Sequence, residues 1–141
     1  MTRFQETTVY GTVLIGNAGG DHVFIIRTSR AVDDWFGAIV EVRSDCWSGK
    51  MKGCSFMRGE LRGFANDVRQ LHRTLLGIAK LDPIEPNVTL TLTGDGKGHV
   101  RVEGLARNRF ETRNSLAFDF EIDQTFLMGL AEGLERADPA D

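Results

Sequence analysis

The stretch GELRGFANDVRQLHRTLL, residues 59–76, is the longest segment of this chain with a clear helical period. Its apolar residues recur at steps of three or four, so they form one stripe of an α-helix while the polar residues face away. The stripe consists of Leu61, Phe64, Val68, Leu71 and Leu75. A helix with one apolar face must bury that face against another element. Because most of the remaining chain has the pattern of short strands, we expect the partner surface to be an antiparallel sheet.

The length and composition are typical of a single domain, which we expect to span residues 1–141. The chain is 41% hydrophobic and 26% charged, and a chain of this size buries about two-thirds of its unfolded surface. Its formal net charge of −3 provides no general attraction to phosphate backbones, so we expect no nucleic acid partner. The sequence has neither an apolar run of the roughly 20 residues that span a bilayer nor the apolar core of a signal peptide. We therefore expect a cytoplasmic protein that does not associate with membranes.

Four strands are predicted before the helix. Residues 8–15 and 22–29 are β-branched and apolar, with a glycine-rich loop between them, which predicts a hairpin. Residues 36–43 alternate between apolar and charged positions and predict a third strand. Residues 50–57 predict a shorter fourth strand that leads into the helix.

Two features of this first half have structural interpretations. Trp35 and Trp47 flank the third strand at its two ends, and we interpret each as an anchor at the edge of the core rather than a platform for a ligand. Gly53 lies inside the fourth strand, where a glycine indicates a β-bulge or a close approach by the helix.

The segment after the helix is predicted to be a loop followed by a hairpin. Gly77 is expected to end the helix, and the two prolines of residues 82–86 exclude a continuing helix. Residues 88–93 alternate valine and leucine with threonine, the clearest strand pattern in the chain. Residues 99–105 follow a glycine-rich turn and predict the second strand of the hairpin.

The last part of the chain is predicted to contain one more strand and a closing helix. Residues 106–114 form a polar connection that we expect to protrude as a loop, and residues 115–122 alternate as a strand. Asp123 is placed to act as the N-cap of a helix over residues 124–136. We expect the tail, residues 137–141, to fray.

The predicted order is therefore ββββαβββα, an α+β fold. Every connection between strands is short except the one that passes through the first helix, and short connections favour antiparallel neighbours. We expect one twisted antiparallel sheet or half-barrel of about seven strands, with the long helix on its concave face and the C-terminal helix beside it.

The sequence contains no recognisable catalytic or metal-binding arrangement. His22, His72 and His99 fall on a strand start, a helix and a turn exit, without the spacing of metal ligands. Cys46 and Cys54 match neither a redox pair nor a zinc site, and we expect both to be free thiols in a reducing compartment. We therefore expect no enzyme activity, no metal and no cofactor.

Three segments carry a family resemblance. They are the helical run GELRGFANDVRQL at residues 59–71, GKGHVRV at residues 96–102 and LAFDFEIDQTFL at residues 116–127. Together they resemble the WapI-like family of small bacterial immunity proteins, which includes relatives of unknown function, and the similarity covers roughly residues 35–134. The resemblance implies a non-enzymatic protein that binds a cognate toxin domain, and it carries over no binding residues.

Five residues are the candidates for contact with such a partner. Asp33 and Asp34 precede Trp35 in a predicted loop, and Asp119 and Glu121 point outward from the last strand. A negatively charged binder would suit a basic target such as a nuclease toxin, because complementary charge accelerates encounter. The alternative interpretation of these side chains is an ordinary solvated surface.

A second hypothesis is a half-barrel that binds a small molecule or a lipid. In that case the helix leaves an apolar pocket on the concave side, lined by Phe56, Phe64, Phe118 and Phe120. A neighbouring reading frame that encodes a large secreted toxin would favour the immunity protein, and co-purifying lipid would favour the half-barrel. A third interpretation is a structural role, with the chain a monomer or a homodimer.

The predicted strand faces can be tested by mutation. Phe64→Ala and Phe118→Ala should each lower the free energy of unfolding by about 3–5 kcal/mol, since a truncated core aromatic loses transfer energy and leaves a cavity. Thr91→Ala should cost far less, because its side chain is predicted to face outward. Chemical denaturation measures all three, and equal losses would show that the strand faces are reversed.

Overall fold

The computed structural model describes residues 10–108 and 114–139, and its elements follow the order ββββαββββα. The first antiparallel sheet contains β1 (Thr12–Gly16), β2 (His22–Arg27), β3 (Trp35–Ser44) and β4 (Trp47–Met57), in that order. The second contains β5 (Leu76–Leu81), β6 (Val88–Asp95), β7 (His99–Arg107) and β8 (Ser115–Asp123), also in order. Helix α1 (Glu60–Thr74) connects the sheets, and a 3₁₀ turn (Gln124–Phe126) leads into helix α2 (Leu127–Ala137).

The α+β class is confirmed, but the expectation of a single sheet of about seven strands was wrong. The described residues form two four-stranded sheets, because β4 and β5 lie on either side of α1 and do not pair. Strand β5 occupies a segment that the sequence pattern assigned to the end of the helix and a loop. The helix ends before Gly77, because Leu75 adopts a left-handed conformation (φ 60°). Strand β5 begins at the next residue, Leu76.

Most predicted strand positions are confirmed, with shifted ends. Strand β1 begins at Thr12 within the described residues, and β4 begins at Trp47, three residues before the predicted start. The expected loop over residues 106–114 is partly strand, because Ala106 and Arg107 extend β7. Residues 109–113 of that loop lie outside the described residues.

The core is one contiguous cluster to which both sheets and both helices contribute. The apolar stripe of α1 is buried as predicted, apart from Leu75, which ends the helix. Phe64 and Phe118 face the core and Thr91 faces outward, so the predicted strand phase is correct. Neither helix of the described chain is long and apolar enough to cross a membrane.

Gly53 marks a β-bulge, one of the two interpretations that the sequence left open. The pairing of β3 with β4 shifts between Ala38 and Val40, where β4 contains one extra residue. Gly53 has a φ of +78°, a conformation that strongly favours glycine. No neighbouring atom lies close to the position of its missing Cβ, so the residue does not reflect a close approach of the helix.

The amino terminus of α1 is capped by the end of the chain. Gly59, which precedes the helix, has a φ of 95° and provides no side-chain cap. The carboxylate of Asp138 instead accepts hydrogen bonds from the backbone amides of Gly59 and Arg62, each at 2.9 Å. These amides have no partner inside the helix, and the positive end of the helix dipole favours the negative charge. Asp138 is only 2% exposed, so the expectation of a frayed tail was wrong for residues 137–139; residues 140–141 lie outside the described residues.

The carboxyl terminus of α2 is held by a buried arginine of the first sheet. Arg27 is 8% exposed, and its Nη1 donates to the carbonyl of Ala137 at 3.2 Å. Its Nε donates to the carbonyl of Ser29, and its guanidinium lies about 5 Å from the rings of Tyr10 and Phe36. A cation at this helix end is stabilised by the negative end of the dipole and by the aromatic faces.

The two helices are also joined by an ion pair. Arg69 donates two hydrogen bonds to the carboxylate of Glu135, at 2.8 and 2.7 Å. These hydrogen bonds lower the pKa of Glu135. Arg62 adds a bond from Nη2 to the carbonyl of Glu135 at 2.9 Å. The helices therefore form a single unit that rests on both sheets.

The cap from Asp138 should contribute measurably to stability. Asp138→Ala leaves the amides of Gly59 and Arg62 without this partner and should lower the free energy of unfolding by about 1–2 kcal/mol. Asp138→Asn keeps one acceptor oxygen and should lose less. Urea denaturation of both variants checks this, and a wild-type midpoint for the alanine variant would mean that the tail does not cap the helix in solution.

Candidate functional site

Two turns of the first sheet hold the outer edge of β8. Asn17, in the β1–β2 turn, donates from Nδ2 to the carbonyl of Glu121 at 2.9 Å. Ser44, at the end of β3, donates from Oγ to the carbonyl of Asp119 at 3.2 Å. The sheets are therefore joined along this edge by side chains. The carboxylates of Asp119 and Glu121, two of the predicted contact residues, belong to exposed residues beside this junction.

The two turns are tied to each other through Asp21. Its Oδ1 accepts from the backbone amide of Asp45 at 2.8 Å, and its Oδ2 accepts from Nδ2 of Asn17 at 3.1 Å. The amide of Asp45 and then the side chain of Asn17 lower the pKa of the Asp21 carboxyl, because both donors stabilise the ionised form. The three segments that meet here, the two turns and β8, are thus held in fixed positions.

Trp47 stands at the tip of the β3–β4 hairpin and is 66% exposed. Its interpretation as an anchor at the edge of the core was therefore wrong. A cleft of about 340 Å³ lies on one side of it, with apolar walls that include Val42, Met51, Ala106 and Leu116. We call this the apolar cleft.

A second cleft, of about 410 Å³, adjoins the first and shares Trp47 and Leu116 with it. Its walls carry three carboxylates, and we call it the acidic cleft. They belong to Asp45, Glu103 and Asp119.

One arginine lies among these acids. Arg101 donates to Asp119 at 2.9 Å and approaches Glu103 at 3.6 Å. The pair between Arg101 and Asp119 joins neighbouring strands, whereas Arg101 and Glu103 lie on the same strand. All three side chains are about half exposed, and solvent-exposed pairs of this kind contribute little to stability. The carboxylates therefore remain accessible to a partner.

Asp33 and Asp34 form a tight turn instead of an extended loop. Their φ values are 52° and 69°, and Val32 and Trp35 exchange two backbone hydrogen bonds around them, of 2.8 and 3.0 Å. Positive φ at both central residues is typical of a type I′ turn. Asp34 is also engaged by Arg58, whose Nε lies 3.2 Å from Oδ1. The geometry gives Asp34 a structural role, and Trp35 is half-buried.

The structure separates the predicted contact residues into two groups. Trp35 begins β3 and Ser44 ends it, and a ten-residue strand spans roughly 30 Å. Since Ser44 binds the backbone of Asp119, the Asp33 turn lies at the opposite end of the first sheet from the acids of β8. The residues that the structure places beside Asp119 are Asp45 and Trp47. The sequence pattern could have indicated these two residues only through their position at a predicted hairpin tip, where side chains are usually exposed.

The four phenylalanines proposed to line a ligand pocket are distributed through the core. Phe56 and Phe64 are completely packed, and Phe56 stacks on Phe36 with ring centroids 6.0 Å apart. Phe118 and Phe120 stack on the second sheet at 6.2 Å, and Phe118 borders the acidic cleft.

The remaining reactive side chains are dispersed. Within residues 10–108 and 114–139, no group of three or more histidines, cysteines and acids could hold a metal ion. Cys46 is exposed and Cys54 is buried, and both are free. Burial raises the pKa of the Cys54 thiol, which makes it a poor nucleophile.

A family model described as "Immunity protein WapI-like family" matches residues 17–137. The match extends from the β1–β2 turn to the end of α2, and it includes the hairpin tips, both clefts and the acids of β8. It confirms the resemblance drawn from the helix and the final strands. No curated protein and no solved structure matches the chain significantly.

The role of Asp21 predicts a dependence of stability on pH. Its pKa in the folded state lies below the unfolded value of about 3.8, so its ionised form stabilises the fold above that value and loses this effect as the pH falls through the folded pKa. Wild-type protein should therefore be more stable than Asp21→Asn at pH 7, and the difference should shrink towards pH 3. Denaturant midpoints across this range measure it. As a control, Asp33→Asn should leave the midpoint at pH 7 nearly unchanged, and a constant Asp21→Asn difference at every pH would contradict the assignment.

Proposed function

We propose that this chain, which belongs to the WapI-like immunity protein family, is a non-enzymatic immunity protein that binds a cognate toxin domain in the cytoplasm. Family membership supports the immunity role, and proteins with that role generally act by binding rather than by catalysis. The exposed thiol of Cys46 is compatible with a reducing compartment.

The observation that carries the proposed binding surface is the exposed Trp47 between two clefts. A tryptophan that is 66% exposed leaves a large apolar area in water in the free protein. Tryptophan is among the residues enriched at the energetic centres of protein interfaces, where it is buried by the partner. The apolar and acidic clefts on either side provide concave surfaces next to this side chain.

Charge supports a basic region of the partner at the acidic cleft. Asp45, Glu103, Asp119 and Glu121 are exposed acids around the acidic cleft and along β8, with Arg101 as the basic residue paired among them. Complementary charge accelerates encounter and selects against acidic surfaces. A basic toxin, such as one that acts on nucleic acid, would fit this surface.

The proposed surface is held in place before binding. Asn17, Ser44 and Asp21 fix the two turns and β8 relative to each other through the hydrogen bonds described above. Binding then requires little ordering of these segments, and preorganisation of this kind reduces the entropic cost of association.

The other contact candidates remain predictions. Asp33 and Trp35 lie at the far end of β3, and Asp34 is engaged by Arg58. They would belong to the site only if the partner covered the whole length of the first sheet. The small-molecule or lipid hypothesis also remains a prediction. It concerns a pocket lined by Phe56, Phe64, Phe118 and Phe120, and none of these residues lines the apolar cleft.

Mutations on the proposed surface should weaken toxin binding in two different ways. Trp47→Ala should raise the Kd for the toxin domain encoded by the neighbouring reading frame about 30-fold or more, because it removes a central anchor. Asp119→Lys combined with Glu121→Lys should slow association about 10-fold and reduce its dependence on salt. Stopped-flow and equilibrium binding separate the two effects.

The matched control is Asp33→Lys combined with Glu132→Lys, which changes the net charge equally but away from the clefts. It should leave association close to the wild-type rate, and circular dichroism checks the fold of every variant. If the control slowed binding and the β8 variant did not, the contact surface would lie at the Asp33 end of the molecule.

A further inference from the structure

The two sheets of the described residues have four outer strands, and three of them are covered. Strand β1 packs beside α2, and β5 packs beside α1. The outer edge of β8 is occupied by Asn17 and Ser44, which donate to two of its carbonyls. Strand β4 is the fourth, and among the described elements only β3 runs along its first half.

Alternate backbone groups of β4 point towards this open edge. Ser44 and Trp47 are paired across a two-residue turn, which makes them a hydrogen-bonded pair of the ladder. By alternation, the amides and carbonyls of Ser48 and Lys50 face away from β3. No hydrogen bond from another described residue reaches these groups.

The apolar cleft runs along this edge. Each residue from 47 to 52 borders it, and the opposite wall is formed by the end of β7 and the start of β8. A cavity under one face of a strand would be bordered by alternate residues only. The cleft therefore extends past the edge of β4, where another strand would lie, and continues under the sheet face as far as Val42 of β3.

Charge determines which kind of strand fits. Lys50 and Lys52 are exposed, and neither forms an ion pair with a described residue. Antiparallel pairing of β4 with β4 of a second copy would bring these lysines close together, and like charges on neighbouring strands repel. A strand with acidic side chains would be attracted instead.

We propose that the β4 edge, residues 48–52, adds an extended segment of the toxin domain as a fifth strand of the first sheet. In that segment, apolar side chains that enter the apolar cleft alternate with acidic side chains that face the lysines. This inference rests on the proposed function, since it specifies how the toxin is held. Main-chain hydrogen bonds supply affinity in strand addition, and pockets for alternate side chains supply specificity.

Amide hydrogen exchange, measured by NMR on the wild-type protein with and without the toxin domain, provides the direct test. The amides of Ser48 and Lys50 should exchange rapidly in the free protein and become at least about 10-fold slower in the complex. The amide of Gly49, which already faces β3, should change much less. Contact through side chains alone would not produce this alternation.

A pair of variants tests the same amide independently. Lys50→Pro removes an amide that faces outward and leaves the ladder to β3 intact, so it should raise the Kd for the toxin domain about 30-fold or more relative to Lys50→Thr. Both variants remove the same charge, so the comparison isolates the backbone group. Thermal denaturation checks their folding, and if the proline variant is unfolded, the exchange pattern of the wild type decides.

The outcomes separate this inference from the proposed function. Wild-type binding with alternate protection of the β4 amides supports both. Wild-type binding without that protection, or with equal affinities for folded proline and threonine variants, overturns strand addition and leaves the immunity role in place. Failure of the wild-type protein to bind the toxin domain overturns both.

Discussion

The hydrogen bonds between the Asp138 carboxylate and the amino terminus of α1 are the contact on which the rest of the structure depends. Helix α1 connects the two sheets, yet Gly59 has no side chain that could cap it. The capping carboxylate comes from a residue 79 positions further along the chain. Arg27 completes the arrangement from the first sheet by binding the last carbonyl of α2. Each of these two buried charges meets the helix end of opposite sign, which offsets the cost of removing it from water. The helix pair and the first sheet therefore stabilise one another through the end of the chain.

The features that could be predicted from the sequence are those with a local period. Three such features are determined by residues close together in the sequence: the apolar stripe of α1, the alternation of β6 and the cap by Asp123. The side chain of Asp123 accepts a hydrogen bond from the Thr125 amide. Strand β5 was missed because its side chains do not follow a clean alternation: Ala79 and Leu81 are buried, but Leu76 and Ile78 are more than 60% exposed. Without β5, the second half of the chain lacked its fourth strand and could only be assigned to the first sheet. The cap by Asp138 had no local signal at all, because both its donors lie at a distance in the sequence.

In the candidate site, too, the features with a local period could be predicted and the others could not. Alternation along β8 correctly placed Asp119 and Glu121 on the outer face. The exposure of Trp47 could not be predicted in this way, since alternation along a strand does not show whether another segment covers the tip of a hairpin. The tight turn at Asp33 and Asp34 was not predicted either, because an Asp-Asp pair is a weaker signal for a type I′ turn than Asn-Gly. Whether an edge residue is covered is decided by packing between segments far apart in the sequence, and periodicity does not report it.

The two ends of the first sheet have different physical properties. At the end where β3 begins, Arg58 binds Asp34 and also donates to the carbonyl of Pro139. Arg58 therefore links the Asp33–Asp34 turn to the C-terminal tail. At the end where β3 finishes, Asn17 and Ser44 close the edge of β8, while no described residue pairs with the edge of β4 beside Trp47. An open edge next to an exposed aromatic ring favours self-association. Lys50 and Lys52 oppose pairing between copies because their charges are alike, yet the same charges attract an acidic strand. These two side chains can therefore keep the free protein from pairing with itself without closing the edge to a partner.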